Sequence, residues 1–400
     1  MQIILKAINQ KFIMSDDLYI KFVEFIRELY DTKGLVTLHA PLFLGNEKEY
    51  VLDTIDSTFV SSVGNFVKQF EHKVAEFTSA KYAIATVNGT AALHIALKLA
   101  GVERNTEVIT QSFTFVATCN AVYYCGAKPI FIDIDRVTLG MSVESLEEFL
   151  QQNTEIREDG YCWNKSTKRK ISACLPMHTY GFPVELYKIK ALCDQYKISL
   201  VEDAAESLGS FYDGKHTGTI GKLSAISFNG NKIITTGGGG IILTNDEQLA
   251  KKARHITTTA KLQHKWEFNH DEVGYNYRLS NLNAALGVAQ MEQLPKYIKN
   301  KRKTAKYYQE WGVKHGMEMV KEHYNTRANY WLNTIIMPDK KHRDELLKVT
   351  NNNNIMTRPA WTPMHKLSIN QGCQYSNLIN TEQLSDRIIN VPSSVKLTTK

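Results

Sequence analysis

The sequence predicts an α/β protein built on a mainly parallel seven-stranded sheet, with a smaller α+β domain toward the carboxy terminus. Three observations carry that prediction. Between about residues 81 and 245, short β-branched runs alternate with amphipathic helical runs, as in sheets whose crossovers are helices. A long helical run follows, from about Leu279 to Gln309. Beyond it come a further strand candidate, NYWLNTIIMP, and a further helix candidate, KHRDELLKV.

Two helical segments, near Asp16–Tyr30 and Asn46–Thr58, precede the sheet, and with the loop TFVSSVGN they make an amino-terminal arm over residues 1–64. The strand candidates are YAIATV, EVIT, KPIFIDI, ISACLPM, ISLVED, LSAISF and GIILT, which place the large domain at 65–250. AALHIALKLA is the most periodic of the helices between them. The polar stretch Gln151–Arg169 is long for a connection and is expected to be a surface hairpin or a mobile loop. Residues 251–400 form the smaller domain, where Asn351–Asn354 end a helix before a strand around Ile355.

Composition excludes several function classes. The 48 basic and 41 acidic residues leave a mild +7, and the sharpest basic cluster, Lys299–Lys306, reads as the solvated face of a helix. No nucleic-acid recognition motif accompanies it, so no nucleic-acid partner is expected. The apolar runs fall well short of the roughly 20 residues of a membrane span, so no membrane association is expected. Lys6 and Lys11 interrupt MQIILKAINQKF, which lacks a secretory core and cleavage site; a cytoplasmic location is expected. Six dispersed cysteines without a CxxC pair imply reduced, mostly buried thiols and no metal centre. In FIDID, Asp133 and Asp135 read as a strand end with a capped turn rather than a metal-binding DxD.

The chemistry gathers around LSAISFNGNKIITTGGGGIILTN, where Lys232 sits on a loop between two strands. A phosphate-binding P-loop would place the lysine directly after the last glycine and ahead of a helix, and a dinucleotide fingerprint also needs a following helix; neither condition holds. Alone, the segment is equally a glycine-rich hairpin with a solvent-facing lysine. In ISLVEDAAES, Asp203 lies at a strand's carboxyl end, where it can hold a pyridine nitrogen protonated or simply cap a helix starting at Ala204. The turn Asn88-Gly89-Thr90 joins a strand to a helix and offers free amides and the helix dipole to a phosphate. Phe113 and Phe115 follow another strand end; either can stack on a flat ring or pack in the core. His94 reads as a satisfied core histidine.

Taken together, the NGTAALHIAL turn, PMHTYG, the aspartate of EDAAES, the lysine of SFNGNK and VGYNYRLSNLNAALG resemble the fold-type-I pyridoxal 5'-phosphate (PLP) sugar aminotransferases of the DegT/DnrJ group. The resemblance runs from about Phe59 to Leu294 with the motifs in the family's order. It implies that Lys232 is the catalytic residue, joined to PLP as a Schiff base, and that Asp203 partners the pyridine nitrogen. It implies further that Gly89, Thr90 and Ser227 hold the phosphate and Phe115 stacks on the ring. Asn276, in GYNYR, is similar to an asparagine contributed to the phosphate from a neighbouring subunit, which implies a homodimer. Glu206 stands where many members carry His or Gln near the ring hydroxyl. His178 matches a family histidine whose role, in packing or in proton transfer, does not follow from the match.

Two departures bear on the substrate. Family members often read TGEGG after the lysine, whereas Gly238 occupies the glutamate position here. With Glu206, this is similar to the subgroup making 4-amino sugars for bacillosamine or legionaminic acid. The expected reaction moves nitrogen from glutamate through the cofactor to a UDP-linked 4-keto-6-deoxy-N-acetylhexosamine; a 3-keto or dTDP-linked sugar is the alternative. A nucleotide-sugar-binding regulator on the same fold would have no need of an intact Lys232/Asp203 pair.

Overall fold

The computed structural model describes residues 16–396; MQIILKAINQKF lies outside them. Its centre is a seven-stranded sheet: β1 (Tyr82–Thr86), β2 (Glu107–Gln111), β3 (Lys128–Ile132), β4 (Ile171–Leu175), β5 (Ser199–Asp203), β6 (Leu223–Ser227) and β7 (Gly240–Thr244), in the spatial order β1-β7-β6-β5-β4-β2-β3. Each strand falls on one of the runs expected from the sequence. From β6 to β3 every neighbour pair is parallel. β7 runs antiparallel to both β1 and β6. The lysine-bearing loop therefore links adjacent antiparallel strands, while the helical crossovers serve the parallel ones.

Both faces of the sheet are covered, which is why its strands read as near-continuous apolar runs. On one face Ala83, Ala85, Ile226, Ile241 and Leu243 pack against Phe70 and Val74 of the helix Asn65–Thr78 and Ala284 and Val288 of the helix Asn281–His315. On the other, Ile84, Val108, Val201 and Ile242 meet Leu93 and Leu97 of the helix Gly89–Leu99 and Ala250, Ala253 and Ile256 of the helix Glu247–Thr257. Burying each such large apolar side chain contributes about 1.5–3 kcal/mol. The helix Glu247–Thr257 spans residue 250 and is part of this core.

The second layer is an antiparallel sheet of Glu318–Met319, Asn333–Ile336, Ile388–Val391 and Arg358–Pro359, in that spatial order. Tyr19, Phe22 and Ile26 of the helix Asp16–Tyr30 are buried here with Tyr308, Ile335 and Ile389. The first described helix thus shares a core with the last strand. The long helix runs past Gln309 to His315 and stops at Gly316, whose φ of +70° is the left-handed conformation that favours glycine. The stretch Gln151–Arg169 holds the hairpin Thr154–Ile156/Cys162–Asn164. Asp133 accepts backbone N–H bonds from Asn380 (2.9 Å) and Thr381 (2.7 Å) at the start of the helix Ile379–Ser385, whereas Asp135 accepts from Val137 and Thr138 and caps its own turn.

Candidate active site

β5 ends at Asp203, whose carboxylate is buried at 2% exposure. Thr118 Oγ1 donates to its Oδ2 at 2.7 Å and the Ala205 amide to its Oδ1 at 3.1 Å. Burial pushes this carboxyl above the ordinary aspartate value, while Thr118, Ala205 and the Lys232 charge pull it back. Thr118 lies on the helix Val116–Tyr124, whose N-cap residue is Phe115. A single turn of helix therefore fixes the aspartate and the aromatic ring relative to each other. Phe113 is fully buried against Tyr180 and Trp361, whereas Phe115 leaves 45% of its surface exposed. Of the two phenylalanines, only Phe115 has a face available to a ligand.

Lys232 follows β6 on a loop closed by its amide bonding to the Asn229 carbonyl at 3.0 Å. Its Nζ donates to Glu206 Oε1 at 3.1 Å. The other oxygen, Glu206 Oε2, accepts the Tyr180 amide at 2.9 Å. Tyr180 presents that amide from a left-handed backbone conformation, φ +55°, uncommon for a side chain of its size. The ring of Trp331 lies 4.1 Å from Nζ. Tyr180 belongs to the PMHTYG motif but drew no role from it, and Trp331 lies in no such motif; tertiary packing brings both to the Lys232–Glu206 pair.

Burial pushes the Glu206 carboxyl up from 4.5 to about 7, against the pull of Lys232 and the Tyr180 amide. The folded state therefore keeps this proton to higher pH than the unfolded chain. The stabilisation it brings is present in full below about 4.5 and is lost as pH rises to about 7. In urea unfolding of the cofactor-free protein, the stability of Glu206→Gln relative to wild type should accordingly increase across that window. A difference independent of pH would mean that Glu206 ionises as it does in the unfolded chain.

The third element is the start of the helix Gly89–Leu99. Asn88 caps it by accepting the Ala91 amide at 2.8 Å, leaving the Gly89 and Thr90 amides, which have no acceptor within the helix, at the open end. A Cβ on Gly89 would lie 2.8 Å from Cβ of Ser227 and 3.1 Å from its hydroxyl. Only glycine lets the helix end sit against the end of β6, and the contact places two backbone donors and a hydroxyl in one cradle. That cradle suits a phosphate dianion. Asp203, whose direct partners are a hydroxyl and an amide, keeps capacity for a further donor, as a protonated ring nitrogen requires. With an amine at Lys232 and a free ring face at Phe115, the donor set fits PLP.

The structure brings Lys232, Asp203 and Glu206 together and sets Gly89, Thr90 and Ser227 at the neighbouring strand ends. Asn276 is exposed, and among the described residues its side chain makes no hydrogen bond to that cluster. Two residues on, Arg278 borders a cavity of about 560 Å³ with Phe59, Val63 and Lys68, and its buried Nε has no hydrogen-bond partner there. His178 is fully buried; Nδ1 accepts the Val184 amide at 3.3 Å, so Nε2 carries the proton donated to Glu202 at 3.1 Å. Both of its nitrogens are thus engaged, one by the carboxylate of Glu202 on β5 and one by the Val184 amide. His94 is buried as expected, but Nδ1 has no hydrogen-bond partner, and its ring sits edge-on to Tyr124, Tyr275 and Tyr277. Among the described residues, His255, Asp271 and Glu272 form the single cluster with metal-binding potential, and Lys252 is ion-paired with Glu272.

Residues 44–400 match the model of the DegT/DnrJ/EryC1/StrS aminotransferase family. The chain belongs to this family. It is 36% identical over 358 residues to a GDP-perosamine synthase of Escherichia coli O157:H7, covering 90% of this chain and 93% of that one. A DegT/DnrJ/EryC1/StrS aminotransferase from Brucella abortus superposes with a TM-score of 0.80 at 25% identity, covering 88% and 91%. The PLP form of Spr1654 from Streptococcus pneumoniae shares the fold, with a TM-score of 0.82 at 20% identity over 91% and 95%. The protein is a PLP-dependent sugar aminotransferase. No helix among the described residues is long and apolar enough to cross a membrane.

Proposed function

We propose that the enzyme transfers the amino group of glutamate to a UDP-linked 4-keto-6-deoxy-N-acetylhexosamine, giving the 4-amino sugar for surface-glycan biosynthesis. The observation that carries the site assignment is the meeting of Lys232, Glu206 and Asp203 beside the amide cradle of Gly89 and Thr90. When bound, PLP supplies an aldehyde to carry the amino group and an electron sink for the C–H bond broken in each half-reaction. Lys232 is assigned to hold the cofactor covalently and, as a free amine, to move the proton at the substrate carbon. Glu206, 3.1 Å away, steadies the ammonium whenever Lys232 carries that proton. Asp203 keeps the ring nitrogen protonated through a charge–charge contact sheltered from water. Gly89, Thr90 and Ser227 hold the phosphate, and Phe115 covers the ring. Asn276, facing outward on the same segment as Arg278, reaches the phosphate of the neighbouring subunit in a homodimer.

Gly238 supports the bulky N-acetyl sugar: a Cβ there would meet only the Val87 carbonyl, at 3.9 Å, so the wall beside the lysine loop is open. One observation favours a second reading, a GDP-linked sugar, namely the 36% identity to a GDP-perosamine synthase. Steady-state assays with UDP-, GDP- and dTDP-linked keto sugars decide between them. The UDP-linked 4-keto substrate should be preferred by more than about tenfold in kcat/KM, roughly 1.4 kcal/mol in transition-state binding. A tenfold preference for the GDP-linked or 3-keto compound would overturn the substrate and leave the reaction class intact.

A further inference from the structure

We propose that Trp331 is a positioning residue for Lys232: its ring face holds the lysine's charged nitrogen and its indole N–H fixes the loop that carries the lysine. The inference rests on the role assigned to Lys232 above. Trp331 is buried, its ring centroid lies 4.1 Å from Lys232 Nζ, and its Nε1 donates to the carbonyl of Asn231 at 2.7 Å. One side chain thus touches the lysine at its tip and the preceding residue at its backbone. Phe228, Ile233 and Ile234 anchor the two ends of the loop in the core, while at its exposed crest the Asn229 and Asn231 side chains bond to each other at 2.9 Å and the indole holds the Asn231 carbonyl.

Trp331 is itself held at both ends of its backbone. Its amide donates to Asn329 Oδ1 at 2.7 Å, and Lys301 Nζ donates to its carbonyl at 3.1 Å. Asn329 Nδ2 donates to the carbonyls of Glu206 and Leu208, both at 2.9 Å. Tyr330, between them, adopts φ +51°, which turns the chain so that Asn329 faces Glu206 while Trp331 faces Lys232. A Cβ on Gly181 would lie 1.9 Å from Asn329 Oδ1, so the segment bearing Tyr180 closes directly on the same clamp. Asn329 and Trp331 therefore grip both members of the Lys232–Glu206 pair. The amine stays aimed at the reacting carbon while it is not joined to the cofactor, when a long, rotamer-rich side chain would otherwise swing away. The ring's negative face attracts a positively charged nitrogen at that distance.

The two contacts can be separated. In the cofactor-loaded protein, Trp331→Phe keeps a ring face and loses the N–H, while Trp331→Leu loses both. Hydrogen exchange of the amides at 229–233 should rise by about fivefold or more in both variants. The pH at which the visible band converts reports on the nitrogen of Lys232. It should stay within about 0.3 unit in Trp331→Phe and fall by about 0.5 unit or more in Trp331→Leu. In Trp331→Leu, kcat should drop about tenfold with KM within about threefold. Unchanged exchange in Trp331→Phe overturns the loop contact, and an unmoved band in a folded Trp331→Leu overturns the ring contact. If the leucine variant does not fold, exchange in the phenylalanine variant decides alone. A visible band that survives Lys232→Ala would instead remove the assignment on which the inference rests.

Discussion

Lys232→Ala is expected to eliminate the visible band of the cofactor-loaded protein and to lower transamination by at least about 10⁴-fold. General acid–base catalysis alone contributes about 10²–10⁴-fold, and the variant loses the covalent hold as well. No other lysine can stand in. Lys301, which bonds to the Trp331 carbonyl, is buried with its Nζ also bonded to the carbonyl of Ser393, so its amine is already engaged. Added methylamine should restore part of the rate, since the cavity left by the side chain admits a small amine. Absorbance spectra and single-turnover kinetics check the expectation; a wild-type band together with wild-type turnover would place the reactive amine elsewhere.

Asp203→Asn is expected to cost about 10²- to 10⁴-fold in rate, because removing one partner of a buried charge pair costs about 3–5 kcal/mol. The fold should survive. An asparagine oxygen still accepts from Thr118 or Ala205, and the amide carries none of the burial penalty that raises the Asp203 carboxyl. The melting temperature of the cofactor-free variant should therefore equal or exceed that of the wild type, while the loaded variant turns over slowly. Turnover within about threefold of wild type would mean that another group holds the ring nitrogen protonated.

Much of this arrangement was legible in the sequence. All seven strands of the large sheet were visible because both of its faces are buried, so each strand is a short apolar run bounded by polar turns. Asp203 at a strand end and Lys232 on a glycine-rich loop could be picked out from the residues, each with a plain alternative, and it was the family resemblance that joined them and added Glu206. The insertion of β7 between β1 and β6 was not, since strand order depends on which faces find each other and leaves no periodic signal. The residues themselves left Phe113 and Phe115 open and the resemblance pointed to Phe115; burial gives the physical reason, with Phe113 in the core and Phe115 exposed. Trp331 and Asn329 were invisible for a related reason: a buried tryptophan near a strand reads as core, and only its distance to Nζ distinguishes it.

The order of the sheet also governs when in its synthesis the protein becomes able to take up PLP. β1 is among the first strands to leave the ribosome, yet its sole neighbour in the sheet is β7, the last of the seven. The phosphate cradle joins the helix end after β1 to the end of β6, so it cannot close until the intervening chain has emerged and β7 has docked. A nascent chain halted before Gly240 carries Asp203 and Lys232 but no finished place for the phosphate. The proposed place for the phosphate thus belongs only to chains that have completed the sheet.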